Sequence, residues 1–143
     1  MLFGLVGSEM CIRDSIGRCY IPSVRLADLG MNVSDLKNKH SMEKFRPLYT
    51  EYLNLACKYL DSAGDYISLI PRQHRRLRIS CMLPVIIGWR TIRLMRQQNV
   101  LDREESIKVD RKQVASILLK TRLASRFSSY ESRLMRSERE LAQ

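Results

Sequence analysis

The chain has 143 residues, of which 25 are basic and 15 acidic, so its formal net charge at pH 7 is +10. This length suits one modest domain or part of a larger one. No apolar run approaches the roughly 20 residues that span a membrane, and four cysteines without C-x-x-C spacing indicate neither a zinc site nor a disulfide framework. We therefore expect a protein of a reducing compartment, the cytoplasm.

The first fifteen residues are predicted to be of non-biological origin. In one reading frame, the run Gly4–Ser15 back-translates into an adapter sequence used in transposase-based preparation of sequencing libraries. A secretory signal is not indicated, because no basic start is present and glycines interrupt the apolar residues. We therefore expect residues 1–15 to be adapter-derived, and the native chain to begin near Ile16 after losing what preceded it.

The remaining chain is more basic than the whole. Removing Arg13, Glu9 and Asp14 from the totals of 25 and 15 leaves 24 basic and 13 acidic residues. Such an excess favours polyanionic partners, which include nucleic acid, anionic membranes and phosphate-bearing ligands. A solvated basic surface is the alternative interpretation.

Two helices are predicted in the first half of the native chain. A short one begins at Pro22 and ends before Gly30, and a polar connection over residues 32–41 follows it. From Met42 to Ile70, apolar residues recur in steps of four and three, which predicts a long amphipathic helix. Its predicted inward face consists of Phe45, Tyr49, Tyr52, Ala56, Tyr59, Ala63 and Tyr66.

A second long helix is predicted from Gln73 to Gln98. Its apolar face is predicted to be Leu77, Cys81, Val85, Gly88, Ile92 and Met95. Pro84 lies in the middle and should kink the helix, because proline removes a backbone hydrogen bond and clashes with the preceding turn. The arginines around its start are interpreted as a solvated or membrane-facing edge; they are Arg72, Arg75, Arg76 and Arg78.

A loop over residues 100–109 precedes the third long helix. Asp110 suits its N-cap and Gln113 completes a capping-box pattern, and the helix is predicted to reach Leu123 or Phe127. The charged tail, residues 128–143, is predicted to be helical or frayed. Amphipathic helices with short connections predict an all-α chain, and their wide apolar faces fit part of a larger helical bundle.

Three segments, in order, resemble the squalene/phytoene synthase family. GRCYIP at 17–22 is similar to the family's G-R-x-[YF]-x-P segment, and SCMLP at 80–84 is similar to the [FS]-C-x-x-P run of squalene synthases. IKVDR at 107–111 is similar to a V-K-[IV]-x-R segment, although the spacing of its arginine varies between members. The resemblance covers Ile16 to about Lys120. It implies that residues 16–127 are the C-terminal part of an isoprenoid-synthase-type helical bundle.

The resemblance implies an enzyme that joins two prenyl diphosphates head to head. In this family two aspartate-rich motifs hold Mg²⁺, because a diphosphate leaving group needs cations, and an apolar cavity protects the carbocation. Squalene synthases also use NADPH for a reductive step. We expect both motifs upstream of Gly17 and no metal ligand or catalytic residue in this chain. Ile12-Arg13-Asp14 imitates the second motif but belongs to the predicted adapter segment.

Four polar residues correspond to family positions that meet phosphate groups. The resemblance places Arg18 and Tyr20 near the diphosphate end of the cavity, where they would bind substrate. It places Lys108 and Arg111 where squalene synthases contact the phosphates of NADPH or of the substrate. Two cations just ahead of a helix N-terminus suit an anion.

Four further residues correspond to the cavity wall. Cys81 and Pro84 match cavity-lining positions of the family, and a kink at Pro84 would widen the cavity. Val85 and Gly88 lie one turn further along the same helix. All four are therefore expected to contact the prenyl chain of the substrate.

Squalene synthesis from farnesyl diphosphate is the favoured reaction, with phytoene or dehydrosqualene synthesis as the neighbouring alternative. The chain itself is expected to be inactive because the Mg²⁺ ligands are missing. Peripheral membrane association is compatible with the basic surface. The alternatives of another class are a basic helical nucleic-acid-binding module and a partner-binding helical hairpin. No recognisable binding motif supports the nucleic-acid module, so nucleic acid is not an expected partner.

Overall fold

A computed structural model describes residues 20–102 and 107–142 of the chain. The α-helices in this part are α1 (Ser23–Ala27), α2 (Met42–Leu69), α3 (Arg75–Gln97), α4 (Arg111–Ala124) and α5 (Ser128–Glu140). Two 3-10 turns, Val33–Lys37 and Lys39–Ser41, connect α1 to α2. The described residues contain no strand, and the all-α prediction is confirmed.

The end of α1 depends on a glycine. Gly30 has a φ of +61°, in the left-handed region that glycine adopts without steric cost. The turn closes with a hydrogen bond of 2.9 Å from the Met31 N–H to the Leu26 carbonyl. Lys44 then donates to the Gly30 carbonyl at 2.8 Å and ties this turn to α2. The predicted stop at Gly30 is confirmed.

The two long helices, α2 and α3, form an antiparallel hairpin through a short connection at Pro71 and carry most of the core. The buried apolar residues of this pair include Phe45, Leu48, Leu53, Ile67, Met82, Ile86, Trp89 and Ile92. A Cβ atom on Gly88 would lie 2.9 Å from Leu60 Cδ1. Glycine at this position therefore allows the helices to approach closely.

The predicted inward face of α2 is correct at one end and wrong at the other. Phe45 and Tyr49 are buried, whereas Tyr59 and Tyr66 are 69% and 62% exposed. Steps that alternate between four and three average 3.5 residues, but an α-helix has 3.6 residues per turn, so such a stripe drifts by about 20° per heptad. Over this long helix the drift accumulates, and Ile67 is buried in place of its neighbour Tyr66.

The predicted face of α3 is confirmed at Val85 and Ile92, which are buried, and wrong at Leu77, which is exposed. The helix is continuous past Pro84, whose side chain is exposed. The kink at this position stays a prediction. The buried face of α3 is therefore rotated relative to the predicted face. Met82, Ile86 and Trp89 take its most buried positions, where large side chains bury a large apolar area.

The arginine edge predicted at the start of α3 is exposed at three of its four positions and wrong at Arg78. The Arg78 side chain is 7% exposed and forms an ion pair with Glu131. Its Nη1 donates to the Ile67 carbonyl at 2.8 Å and to the Ile70 carbonyl. Carbonyls at a helix C-terminus lack hydrogen-bond donors within the helix. At the end of α2, Arg78 is such a donor.

The start of α4 is confirmed at Asp110, which is its N-cap. The predicted capping box is wrong, because the Asp110 side chain makes no capping hydrogen bond. Asp110 and Gln113 are both exposed, so water can solvate the N–H groups that a cap would otherwise bind.

The tail is helical and closes one side of the α2–α3 hairpin. Glu138 of α5 accepts two hydrogen bonds from Arg90, at 2.8 Å and 2.5 Å. The Ala142 carbonyl accepts from Arg96 Nε at 2.8 Å, and Ala142 itself is buried. These bonds explain why a highly charged segment folds against the hairpin. None of the helices in the described ranges has the length and apolar character needed to cross a membrane.

Candidate functional site

The polar residues predicted at the N-terminal end are only partly described. Arg18 lies outside the described residues. Tyr20 lies just ahead of α1 and its side chain is exposed. A phenol in this position is accessible to a ligand or to another part of a larger protein.

The four α3 residues predicted to line a cavity lie near one another on the helix but differ in burial. Val85 belongs to the buried core, and Gly88 faces Leu60 of α2. Cys81 is a half-buried free thiol, and Pro84 is exposed. Cys81 and Pro84 therefore remain available to a second layer of structure or to a ligand.

Lys108 and Arg111 both have exposed side chains and lie three residues apart at the start of α4. The first N–H groups of a helix have no helical partners, and the helix dipole is positive at this end. Two cations beside such a terminus give a surface that suits a phosphate group. The geometry is therefore compatible with the phosphate-binding role expected from the sequence.

The predicted site residues lie in three separate elements: the segment before α1, the helix α3, and the start of α4. None of these residues lines either of two clefts found in the described part of the chain. Within residues 20–102 and 107–142, no three histidine, cysteine or carboxylate side chains come together to hold a metal ion. The described residues therefore supply no ligand set for Mg²⁺.

The larger cleft was not predicted from the sequence. It has a volume of about 280 Å³ and lies between α2, α3 and α5. Its lining includes Asp61, Asp65, Arg78, Trp89, Glu131, Arg136 and Arg139. Part of this wall is the tail, where no resemblance guided the interpretation. The seven-residue spacing of Glu131 and Glu138 was the available signal, since it places two carboxylates on one side of a helix.

Ion pairs join α5 to the long helices around this cleft. Arg78 pairs with Glu131, and Arg139 Nη2 donates to Asp61 Oδ2 at 2.8 Å. The hydrogen bonds that Arg90 donates to Glu138, together with the negative charge of Glu138, raise the pKa of Arg90, although partial burial opposes the shift. Arg78, Arg90 and Arg139 are therefore each matched with a carboxylate.

One buried phenol has a strongly shifted pKa. Burial raises the pKa of Tyr49 to about 12, and the positive charge of Arg46 opposes the shift. The Tyr49 hydroxyl is buried without a hydrogen-bond partner. Tyr49 is therefore a core residue, and its chemistry affects stability rather than a site.

The family model for squalene/phytoene synthase matches residues 11–113. The chain belongs to the squalene/phytoene synthase family. Squalene/phytoene synthases are prenyl transferases that act on prenyl diphosphates, so this family membership supports an enzyme of that kind. No curated protein and no solved structure gives a significant match to the chain.

The limits of the squalene/phytoene synthase match bear on two of the predicted segments. The match begins at residue 11 and so includes the last five residues of the predicted adapter segment. The Arg13-Asp14 pair there imitates the family's second aspartate-rich motif, and the adapter origin of residues 1–15 stays a prediction. The match ends at residue 113, so α5 and most of α4 lie beyond it.

Proposed function

We propose that this chain is the C-terminal segment of a squalene synthase. The complete enzyme would condense two molecules of farnesyl diphosphate head to head, form presqualene diphosphate, and reduce it to squalene. The family match over residues 11–113 is the observation that carries this proposal. The SCMLP run and the IKVDR segment favour squalene synthesis over phytoene or dehydrosqualene synthesis.

An exposed strip on α3 supports a role in a larger bundle. Leu77 and Pro84 are exposed, and Cys81 between them is half-buried. Their spacing of four and three residues places them along one side of the helix, so an apolar strip faces solvent beside the core. In the proposed enzyme this strip forms part of the wall of the substrate cavity, with Val85 and Gly88 holding α3 against α2.

In this proposal the polar residues bind the phosphate groups of the substrate and of NADPH. Tyr20 and Arg18 bind the diphosphate of the substrate, and Lys108 with Arg111 binds the phosphates of NADPH. Mg²⁺ would be held by two aspartate-rich motifs upstream of Gly17, where it would assist departure of the diphosphate. The absence of a membrane-crossing helix in the described ranges is compatible with a cytoplasmic enzyme that associates peripherally with a membrane.

Recovery of the upstream reading frame from the source DNA tests the proposal. We expect two aspartate-rich motifs ahead of Gly17 and no coding sequence for residues 4–15. The complete enzyme, given farnesyl diphosphate and Mg²⁺, should accumulate presqualene diphosphate, and should form squalene when NADPH is added. A native frame without the two motifs would contradict the synthase assignment.

A substitution in the complete enzyme tests the role of Lys108. Lys108→Gln should raise the KM for NADPH about tenfold, because a charge-assisted hydrogen bond to phosphate is lost, and should leave the formation of presqualene diphosphate unchanged. Lys112→Gln, on the exposed first turn of α4, is the matched control and should change neither. A rise in the KM for farnesyl diphosphate alone would assign Lys108 to the substrate instead.

A further inference from the structure

Two connections lie at the same end of the helical bundle: the one from α2 to α3 and the one from α4 to α5. Arg78 in the first turn of α3 pairs with Glu131 in the first turn of α5, so these two helices start next to each other. Further along, Arg90 of α3 pairs with Glu138 of α5, so the two helices run in the same direction. The connections that precede them therefore lie side by side, and we call this end of the molecule the connection end.

The connection end exposes large apolar side chains. Leu69, the last residue of α2, is 79% exposed, and Phe127, between α4 and α5, is 65% exposed. Tyr66 and Leu123 are also exposed and lie three and four residues before these positions. Single apolar residues on a surface are common, whereas a cluster of them marks a site of interaction.

The same end is strongly basic. Residues 66–77 and 121–130 contain no aspartate or glutamate. The carboxylates adjoining these ranges are Asp65 and Glu131, and Glu131 is already paired with Arg78. Except for Arg72, the exposed arginines of the two ranges form no ion pair with any described residue. These exposed arginines are Arg72, Arg75, Arg76, Arg122 and Arg126.

The combination of arginines and apolar side chains restricts what can cover this end. A second copy of the chain would bring like charges together, and an apolar helix would bury the arginines without partners. Nucleic acid would pair with the arginines but leave Leu69 and Phe127 in water. An anionic lipid bilayer suits both groups, because arginines reach the lipid phosphates while apolar side chains enter the boundary of the acyl chains.

We propose that the connection end is the surface by which this protein docks on a membrane that contains anionic lipids. Leu69 and Phe127 enter the boundary between headgroups and acyl chains, and the surrounding arginines bind lipid phosphates. The inference goes beyond the proposed function, which is compatible with peripheral association but assigns no surface and no lipid to it. None of the residues assigned to the prenyl diphosphate or to NADPH takes part, so failure of one proposal leaves the other standing.

Cosedimentation of the 143-residue chain with lipid vesicles tests the proposal. One set of vesicles is phosphatidylcholine alone, and the other contains about 30% phosphatidylglycerol. We expect binding to the anionic vesicles to be at least tenfold tighter, because each arginine near an anionic surface strengthens binding about fivefold. Equal binding to the two sets, or no binding to either, would overturn the proposal.

A pair of double variants locates the electrostatic contact. Arg75→Gln combined with Arg76→Gln should weaken binding to the anionic vesicles at least tenfold. Arg93→Gln combined with Lys112→Gln is the matched control, since it removes the same charge from exposed positions near the other ends of α3 and α4. The control should change binding less than threefold, and circular dichroism verifies that both variants are folded. The same loss in both would show that net charge alone attracts the vesicles, against the proposal.

An apolar pair separates a membrane from nucleic acid as the occupant. Leu69→Gln should weaken vesicle binding about fivefold, because an inserted leucine is lost. Leu55→Gln is the control, since Leu55 is an exposed leucine of α2 that lies about 21 Å away along the helix, and it should bind as the unchanged chain does. If Leu69→Gln has no effect and duplex DNA binds as tightly as the anionic vesicles, the connection end is a general polyanion site and the proposal is wrong.

The complete enzyme decides whether upstream helices cover this end. In the same assay it should bind the anionic vesicles, and Arg75→Gln combined with Arg76→Gln should weaken that binding by a similar factor. A complete enzyme that ignores anionic vesicles would overturn the proposal, whether or not it forms squalene. Conversely, vesicle binding by an enzyme that forms another product would contradict the proposed function alone.

Discussion

Arg78 illustrates how a charge can be buried when a carboxylate and two backbone carbonyls accept hydrogen bonds from it. Its guanidinium joins the end of α2, through the Ile67 and Ile70 carbonyls, to Glu131 of α5. A buried ion pair gives little net stability compared with apolar residues, but removal of one partner leaves an uncompensated buried charge. The contribution of Glu131 is therefore best seen when it is removed.

Glu131→Ala should lower the free energy of unfolding by about 3–5 kcal/mol, because Arg78 remains buried without its partner. Glu51→Ala is the control, since its ion pair with Arg25 is exposed, at 43% for Arg25 and 59% for Glu51. Such exposed pairs contribute about 0–1 kcal/mol. Urea unfolding of the two variants measures the difference. Equal losses would show that Glu131 and Arg78 do not form a buried pair.

Tyr49 should make the stability of the chain depend on alkaline pH. The pKa of its phenol is about 12 in the folded chain, against an ordinary value of 10. Below pH 10 both states are protonated and the stability is fully present. As the pH rises from 10 to 12, the unfolded chain ionises first, and about 2–3 kcal/mol of stability is lost.

Comparison with Tyr49→Phe isolates this effect from other groups that titrate above pH 10. The variant also removes a buried hydroxyl that has no partner, so it should be at least as stable as the unchanged chain at pH 7. Urea unfolding of both chains at pH 9 and pH 12 provides the measurement. The same alkaline loss in both chains would rule out Tyr49 as its source.

At the scale of elements, the contact between α2 and α3 depends on glycines with different surroundings. A Cβ on Gly64 would lie 3.6 Å from Met135 Cε and Trp89 Cη2, an ordinary contact distance. A Cβ on Gly88 would lie 2.9 Å from Leu60 Cδ1, so Leu60 would have to move. Both glycines lie inside helices, where alanine is intrinsically favoured by about 1 kcal/mol.

Gly64→Ala should therefore raise the free energy of unfolding by about 0.5–1 kcal/mol. In Gly88→Ala the displacement of Leu60 offsets the same gain, and the variant should be less stable than Gly64→Ala by about 1 kcal/mol or more. Thermal and urea unfolding of the two variants compare them directly. A larger gain for Gly88→Ala would show that the helices are not in close contact at this position.

At the scale of the whole molecule, the described residues form a helical core that supplies no ligand set for Mg²⁺. Incubated with farnesyl diphosphate, Mg²⁺ and NADPH, it should form no squalene, because nothing in it is expected to hold the metal that assists departure of the diphosphate. Gas chromatography of the extracted products is the measurement, with the complete enzyme as the positive control. Squalene above the level of a protein-free reaction would contradict the proposed inactivity.

Several features were fixed by local sequence. The bounds predicted for the long helices, 42–70 and 73–98, differ from those of α2 and α3 by at most two residues at any end. Helix bounds depend on neighbouring residues, such as Gly30 and Pro71, and on short-range periodicity. Short motifs were sufficient to predict the family for the same reason, because each is contiguous in the chain.

The tertiary structure alone decided which side chains face inward and what the tail does. Arg78 turns inward because it pairs with Glu131, which lies 53 residues away along the chain. Tyr66 turns outward because the predicted stripe drifts away from the buried side of α2. The cleft exists because α5 folds back on the α2–α3 hairpin. Periodicity along one helix carries no information about which residue of a distant helix it will meet, so the sequence by itself determined the helices and the family, and packing determined the cleft.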